Sequence, residues 1–307
     1  MSFYAFFGAI NQGLVYGLMA LGVFLTFRVL DFPDLTVDGS LPLGAAVSAM
    51  CVLSGVDPYL SLIPAFLAGF LAGAITGFLS AKLGILHLLA SILTMSALYS
   101  INLRVMGNRP NLSLIGQDSV LTPLREWGLS STLAGVALFL VAIILAVAFL
   151  AWLSRTEFGQ ALQATGENPR MITSLGVNIK VTIILGVGLS NALVALTGAF
   201  VAQSQGLADV SLGVGTIVVG LASVVVGETL FGGRRSMPIR LVAVVLGSII
   251  YRLAVALALR LKIGSFSFNP SDLNLITSIL VVGALMFPRL RKAQAASRAQ
   301  AGKMNRA

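Results

Sequence analysis

The chain has one cysteine and one histidine in 307 residues, and only 10% of its residues carry charge. Cys51 alone closes no internal disulfide, and His87 alone builds neither a zinc centre nor a histidine relay. The sequence therefore gives no basis for a disulfide scaffold, a metal site or a bound cofactor. No Lys or Arg precedes Arg28, so the first apolar run lacks the basic n-region of a cleavable signal and is expected to persist as a helix. No G-x-x-x-x-G-K-[ST] surrounds Lys82, Lys180, Lys262 or Lys303, which removes a P-loop for cradling ATP phosphates, and no H-E-x-x-H occurs. An enzyme is a poor fit, and any ATP consumed would be hydrolysed on a separate subunit.

What is abundant is apolar surface. Hydrophobic residues make up 57% of the chain and mean hydropathy is +0.96, whereas soluble domains carry about 25% charge. The apolar residues gather into runs of about 19 to 23, the length that crosses a hydrocarbon core of about 30 Å as a helix. Candidate spans lie at Tyr4 to Phe27, Leu41 to Leu53, Tyr59 to Ala81, Ile85 to Leu103, Leu133 to Leu153, Val181 to Val201, Leu212 to Leu230, Leu241 to Leu259 and Leu273 to Phe287. The expected fold is an all-α membrane protein, a polytopic bundle of about 8 to 10 segments within residues 1–288. The run from Leu41 is short, contains Pro42 and Gly44 and follows Asp31, Asp34 and Asp38, as a broken or re-entrant helix would.

A net charge of +9 could suggest nucleic acid, but the bases are scattered through loops and form no stripe. Threading nine spans alternately, with Arg252 inside one, places fourteen Lys and Arg on one side and five on the other. The positive-inside rule then sets the C-terminus in the cytosol. The tail at residues 289–307 is basic and rich in small residues, suited to disorder or to anionic lipid headgroups. DLTVDGSLPLG from Asp34 and DVSLGVGTIVVG from Asp209 echo each other and enter from opposite sides, as the halves of an inverted repeat would.

Several residues merit a function and a plainer alternative. Gly69, Gly73 and Gly77 share one helical face, as Gly13 and Gly17 do, which signals close packing and identifies no solute. Glu228 and Arg252 lie in or near spans, where an unpaired charge costs about 2.5 to 3.5 kcal/mol. Glu228 precedes Arg234 and Arg235 and suits an interfacial residue near bases. Arg252 lies deeper and fits either a polar path or a structural partner. Asp34 and Asp38 fit a solute path or, with Ser40, a helix cap. The polar stretch at residues 154–180 cannot span; Glu167, Asn168 and Pro169 suit a short helix start and Gly176 its end.

Three stretches resemble the inner-membrane permeases of bacterial ATP-binding-cassette importers for branched-chain amino acids and for monosaccharides such as ribose. GLVYGLMALGVFLTFRVLDFPDLTVDGSLPLGAAV (Gly13 to Val47) is similar to the family's first core helix and its Asp-Leu-Ser-Val-Gly-Ser signature. FGQALQATGENPRMITSLGVN (Phe158 to Asn178) resembles the cytosolic loop that docks into the ATPase, and IVVGLASVVVGETLFGGRRS (Ile217 to Ser236) the segment closing on a Gly-Gly turn. The sugar type would have Gly at Asp38, and the Asn-Phe-Ala-His run of the amino-acid type is missing near Asp31. The chain is therefore similar to a branch whose binding proteins are proposed to carry tryptophan or tyrosine.

The resemblance implies a permease subunit for a small solute, most simply an amino acid, in the bacterial plasma membrane. It implies as partners two copies of an ATPase, a second permease copy forming a homodimer and a periplasmic or lipid-anchored substrate-binding protein. Glu167, Asn168, Pro169 and Gly176 would couple to the ATPase, and Asp34, Asp38 and Arg252 would be candidates for the path. A monosaccharide permease or a stand-alone secondary transporter is the alternative, although an ion-coupled carrier would place more ionisable residues in its spans.

Overall fold

The computed structural model describes residues 3–126, 128, 130–231 and 236–258, with 262, 263, 266, 267, 278, 282 and 283 beyond them. The ninth apolar run and the basic tail lie mostly or wholly outside the described residues.

Helix α1 (Phe3–Phe24) runs on into a π-helical turn at Leu25–Val29. The chain is then irregular to Thr36, with Asp31 at φ 52°, before α2 (Val37–Leu53) begins. There follow α3 (Leu62–Ala81), α4 (His87–Val105), the strand β1 (Asn111–Ser113), α5 (Thr122–Glu126) and α6 (Ser131–Leu153). Two short helices, α7 (Glu157–Glu167) and α8 (Pro169–Ser174), lead to α9 (Ile179–Gln205). The chain continues through β2 (Leu207–Asp209), a 3-10 turn at Val210–Gly213, α10 (Thr216–Phe231) and α11 (Met237–Ala258). Among the described residues seven helices are long and apolar enough to cross a membrane, and α2 is an apolar helix of lesser length.

Burial sorts these helices. The windows in α1 and α9 are 72% and 61% buried and form the centre, whereas α3, α4 and α6 are about a third buried or less. Leu67, Leu71 and Ile75 on α3 and Val141, Ile144 and Leu145 on α6 face outward. Apolar residues cover both faces of these helices because their outer solvent is lipid.

The packing has an internal symmetry. α1 lies against α10 and α11, α9 lies against α2 and α3, and α1 and α9 touch each other, so each half of the chain lends its long helix to the other half. Antiparallel pairing of Asn111 with Asp209 and Ser113 with Leu207 places the segments after α4 and after α9 at one end of the bundle. Leu162 and Gly166 of α7 meet Gly186 and the Val29 backbone, so the end of α1 and the start of α9 lie at the other end. The two echoing segments consequently enter from opposite ends. Both fold alike: Asp34 Oδ1 accepts from the Thr36 amide at 2.9 Å, and Asp209 Oδ1 accepts from the Ser211 amide at 2.7 Å. This is the geometry of an inverted repeat.

Small residues make the close crossings possible. A Cβ on Gly69, Gly73 or Gly77 of α3 would run into Ala195, Asn191 or Ile184 of α9, and one on Gly13 would lie 2.8 Å from the Ile249 Cα of α11.

Candidate functional site

Asp34 is enclosed, with no exposed surface. Its Oδ2 accepts from Asn191 Nδ2 at 2.6 Å, and Asn191 Oδ1 in turn accepts from Ser40 Oγ at 2.7 Å. Asn191 Nδ2 also donates to the Val187 carbonyl at 3.0 Å, while the hydroxyls of Thr36 and Thr76 pair at 2.8 Å. Asn191 sits near the middle of the 27-residue α9, so this network ties the unwound segment to α2, α3 and α9 deep within the bundle. Every polar atom named has a partner, as burial at membrane depth requires.

Asp38 does cap a helix, but not its own. It lies in the first turn of α2, whose N-cap Thr36 makes no side-chain cap bond. Its Oδ1 accepts from the Ile217 amide at 2.8 Å and from Thr216 Oγ1 at 3.0 Å, and its Oδ2 accepts from the Gly215 amide at 3.2 Å. A carboxylate from the first half thus receives otherwise orphaned amides at the start of α10. Pro42 has no N–H, which leaves the Asp38 carbonyl without its helical donor, and Gly213 packs onto that carbonyl so closely that any side chain would overlap it.

Beside Asp38 opens a cavity of about 450 Å³ between α2, α4 and the 3-10 turn. Gly39, Pro42, Met95, Ser96, Tyr99, Asn102, Val210, Ser211 and Val214 complete its wall. Asn102 is 1% exposed; its Nδ2 donates to the Gly39 carbonyl at 3.2 Å and its Oδ1 has no partner among the described residues.

Arg252 is partly buried in α11, with its guanidinium carbon 3.9 Å from the centre of the Tyr16 ring. A cation over a π face is stabilised by the ring quadrupole, which here ties α11 to α1. Arg252 lies outside the wall of the Asp38 cavity.

Glu228 pairs with Arg28 and Arg240, while Arg234 and Arg235, the bases that the sequence sets beside it, lie outside the described residues. Together they form an ion triad: Glu228 Oε2 accepts from Arg28 Nε at 2.7 Å and also from its Nη2, and Oε1 accepts from Arg240 Nη2 at 3.2 Å. The triad joins the end of α1 to α10 and α11. The Arg28 side chain is 54% exposed, so screening reduces its share. Glu228→Gln is expected to cost about 1 kcal/mol, measured as a fall of a few degrees in thermal midpoint at low salt that shrinks at high salt.

At the same end α7 and α8 form a two-helix knob. Thr156 Oγ1 accepts from the Gly159 amide at 3.2 Å to start α7, and Asn168 Oδ1 accepts from the Met171 amide at 3.1 Å to start α8. Pro169 takes the first helical position and Gly176, at φ +84°, follows the end, as the sequence predicts. Leu162 and Ile172 anchor the knob inward. Glu167, Asn168, Pro169 and Gly176 are all exposed, with Met171 49% and Leu175 70% exposed between them.

Sequence reasoning passed over Asn191, Asn102 and Gln203. Gln203 Nε2 donates to Ser48 Oγ and Ser61 Oγ, each at 2.9 Å, and its Oε1 accepts from the Val120 amide at 3.0 Å. An amide within an apolar span was the available signal, because such groups must find partners.

Comparison with known proteins matches the arrangement. The tyrosine transport system permease protein of Clostridioides difficile (strain R20291) is 39% identical over 276 residues, covering 90% of this chain and 88% of the relative. The probable branched-chain amino acid transport permease protein LivH of Methanocaldococcus jannaschii is 30% identical over 201 residues, 62% of this chain and 63% of that one. The solved structure of PsaBC from Streptococcus pneumoniae in complex with Fab superposes with a TM-score of 0.50 at 17% identity, over 91% of this chain and 89% of that chain, a likeness of fold. The family model for the branched-chain amino acid transport system permease component matches residues 5–288, and this chain, a multi-pass membrane protein with that fold, belongs to that family of importer permeases.

Proposed function

We propose that this chain forms the translocation path of an ATP-driven amino-acid importer in the bacterial plasma membrane, paired with a second copy of itself. The 39% identical tyrosine transport permease supports an amino acid as the solute. The observation that carries the coupling role is the α7–α8 knob. It is capped at each helix start and anchored on the central helices, and it presents Met171 and Leu175 within a polar rim. An exposed apolar pair with a polar border suits a protein partner. That partner is an ATPase, whose closure would move the knob and, through α9, the path between its two states. A substrate-binding protein would deliver solute at the opposite end, beside β1 and β2.

The orientation follows from charge. Arg28, Lys82, Arg155, Arg170, Lys180 and Arg240 belong to the knob end and its loops, so by the positive-inside rule that end faces the cytosol, and the basic sequence from Arg289 onward supports a cytosolic C-terminus. In intact cells lacking Cys51, a cysteine at Arg109 should react with an impermeant maleimide, and cysteines at Met171 or near Met304 should stay unlabelled. Labelling at Met171 would reverse the topology.

Coupling is tested in the assembled importer. Gly176→Pro forces φ negative where the chain needs +84°, and Met171→Glu with Leu175→Glu places charge on the apolar pair. Both variants should insert normally yet lose solute-stimulated ATP hydrolysis about tenfold or more, a loss of about 1.4 kcal/mol of coupling. Wild-type stimulation in both would end the docking assignment.

A further inference from the structure

The cavity beside Asp38 has a chemistry of its own. A carboxylate offers about four acceptor positions. At Asp38, Oδ1 holds the Ile217 amide and Thr216 hydroxyl, but Oδ2 holds only the Gly215 amide, leaving one position open. Asn102 Oδ1, on a side chain almost wholly buried in the same wall, has no donor at all among the described residues. An acceptor left dry and unpaired costs about 1 to 3 kcal/mol, so this part of the wall favours a ligand group that brings donors.

The rest of the wall is largely apolar, with Gly39, Pro42, Met95, Val210, Val214 and the Tyr99 ring, and its hydroxyls are those of Ser96, Tyr99 and Ser211. A polyol would leave many of its hydroxyls without partners there. A hard divalent cation would need six or more oxygen ligands, which one carboxylate and one amide do not provide. An ammonium group carries three donors and no acceptor, an alkyl or aromatic side chain attached to it matches the remaining surface, and the carboxylate of an amino acid would turn away from Asp38 toward the exposed Ser96 hydroxyl. The volume, about 450 Å³, lies within the range of small-molecule pockets, about 300 to 1,000 Å³.

We infer that this cavity is a solute site within the permease, receiving the ammonium of an apolar or aromatic amino acid at Asp38, and at Asn102 once its buried amide turns toward the cavity, with the solute's side chain against Met95, Tyr99 and Val214. The inference rests on the amino-acid function proposed above and assigns to this chain a selectivity separate from that of a binding protein.

The test uses the assembled importer with Cys51→Ser and Val214→Cys, following the rate of thiol labelling by a water-soluble maleimide. Val214 is 74% exposed and takes part in none of the bonds above, so the cysteine reports occupancy. Saturating L-tyrosine and tyramine should each slow labelling about tenfold, as occupancy well above Kd requires. Ribose and 3-(4-hydroxyphenyl)propionate, which lacks the ammonium, should leave the rate unchanged. Asn102→Leu should remove the protection. So should Ser96→Phe, which fills the cavity from an exposed position on α4 and disturbs no bond described above. Equal protection by the propionate, or none by tyramine, overturns the inference. Uptake of labelled tyrosine by the same assemblies separates the two levels. Uptake with an unchanged KM in Ser96→Phe removes the site and leaves the importer function standing, whereas uptake of ribose with no amino acid removes both.

Discussion

Placing a methyl group on Gly198 should cost this protein more stability than removing any one of its surface charges. The Cβ would overlap the Leu41 carbonyl of α2, and a Cβ on Gly44 would overlap the Ala195 carbonyl of α9, so the two helices meet backbone to backbone at both points. No rotamer change relieves a contact with a carbonyl. α2 must move away from α9, which pulls on Ser40 and its bond to Asn191 and on the Asp38 cap of α10. Gly198→Ala is expected to cost about 3 kcal/mol, at the upper end for overpacking, and Gly44→Ala a similar amount. Gly8→Ala is the control: it lies in α1 with nothing within 4 Å of its would-be Cβ, and alanine there should be neutral or gain up to about 1 kcal/mol. Thermal midpoints and monodisperse yield in detergent provide the measurement. Midpoints for Gly198→Ala equal to those for Gly8→Ala would mean that α2 and α9 do not cross in this way.

The contrast between Gly198 and Gly176 shows what the sequence made legible. Gly176 acts locally: Asn168, Pro169 and Gly176 bracket one short helix, all the chemistry lies within nine residues, and the predicted α8 stands where the spacing put it. The apolar runs were equally readable because lipid imposes their length, and α3, α6, α9 and α11 begin within about four residues of the expected positions. Gly198 acts through a partner more than 150 residues away, and nothing in its own neighbourhood names Leu41. The same holds for Asp38. Its residue type promised a cap, and it is one, but the capped helix begins at Thr216 in the other half of the repeat. Arg234 and Arg235, the bases that the sequence sets beside Glu228, lie outside the described residues, whereas Arg28, 200 positions away, reaches it from the end of α1. The pairing of Asn111 with Asp209 gave no signal, since a three-residue strand in a polar loop has no periodicity to read.

Asp34 is the second position where a large effect is expected, and there the direction differs from that of a residue washed by a solute path. In Asp34→Asn one oxygen becomes an NH₂ group. If that group faces Asn191, two donors oppose each other; if it faces Thr36, it opposes the Thr36 amide. Asn191 cannot flip to help, because its Oδ1 already accepts from Ser40 and its Nδ2 donates to Val187. One buried donor is therefore left without an acceptor, at a cost of about 1 to 3 kcal/mol. Protein abundance and transport should fall together, with transport per folded molecule nearly unchanged. Asn191→Asp alone should be comparably harmful, since it sets two carboxylates side by side and turns an oxygen toward the Val187 carbonyl. The double variant restores a donor on residue 34 and acceptors on residue 191 for it and for Ser40, losing only the bond to Val187. It is expected to recover about half of the combined loss, a coupling of about 1 to 2 kcal/mol in a double-mutant cycle. Thermal midpoints of the four proteins, together with uptake normalised to folded protein, decide between the roles. Uptake lost in Asp34→Asn at an unchanged midpoint would instead make Asp34 a carboxylate that meets the solute.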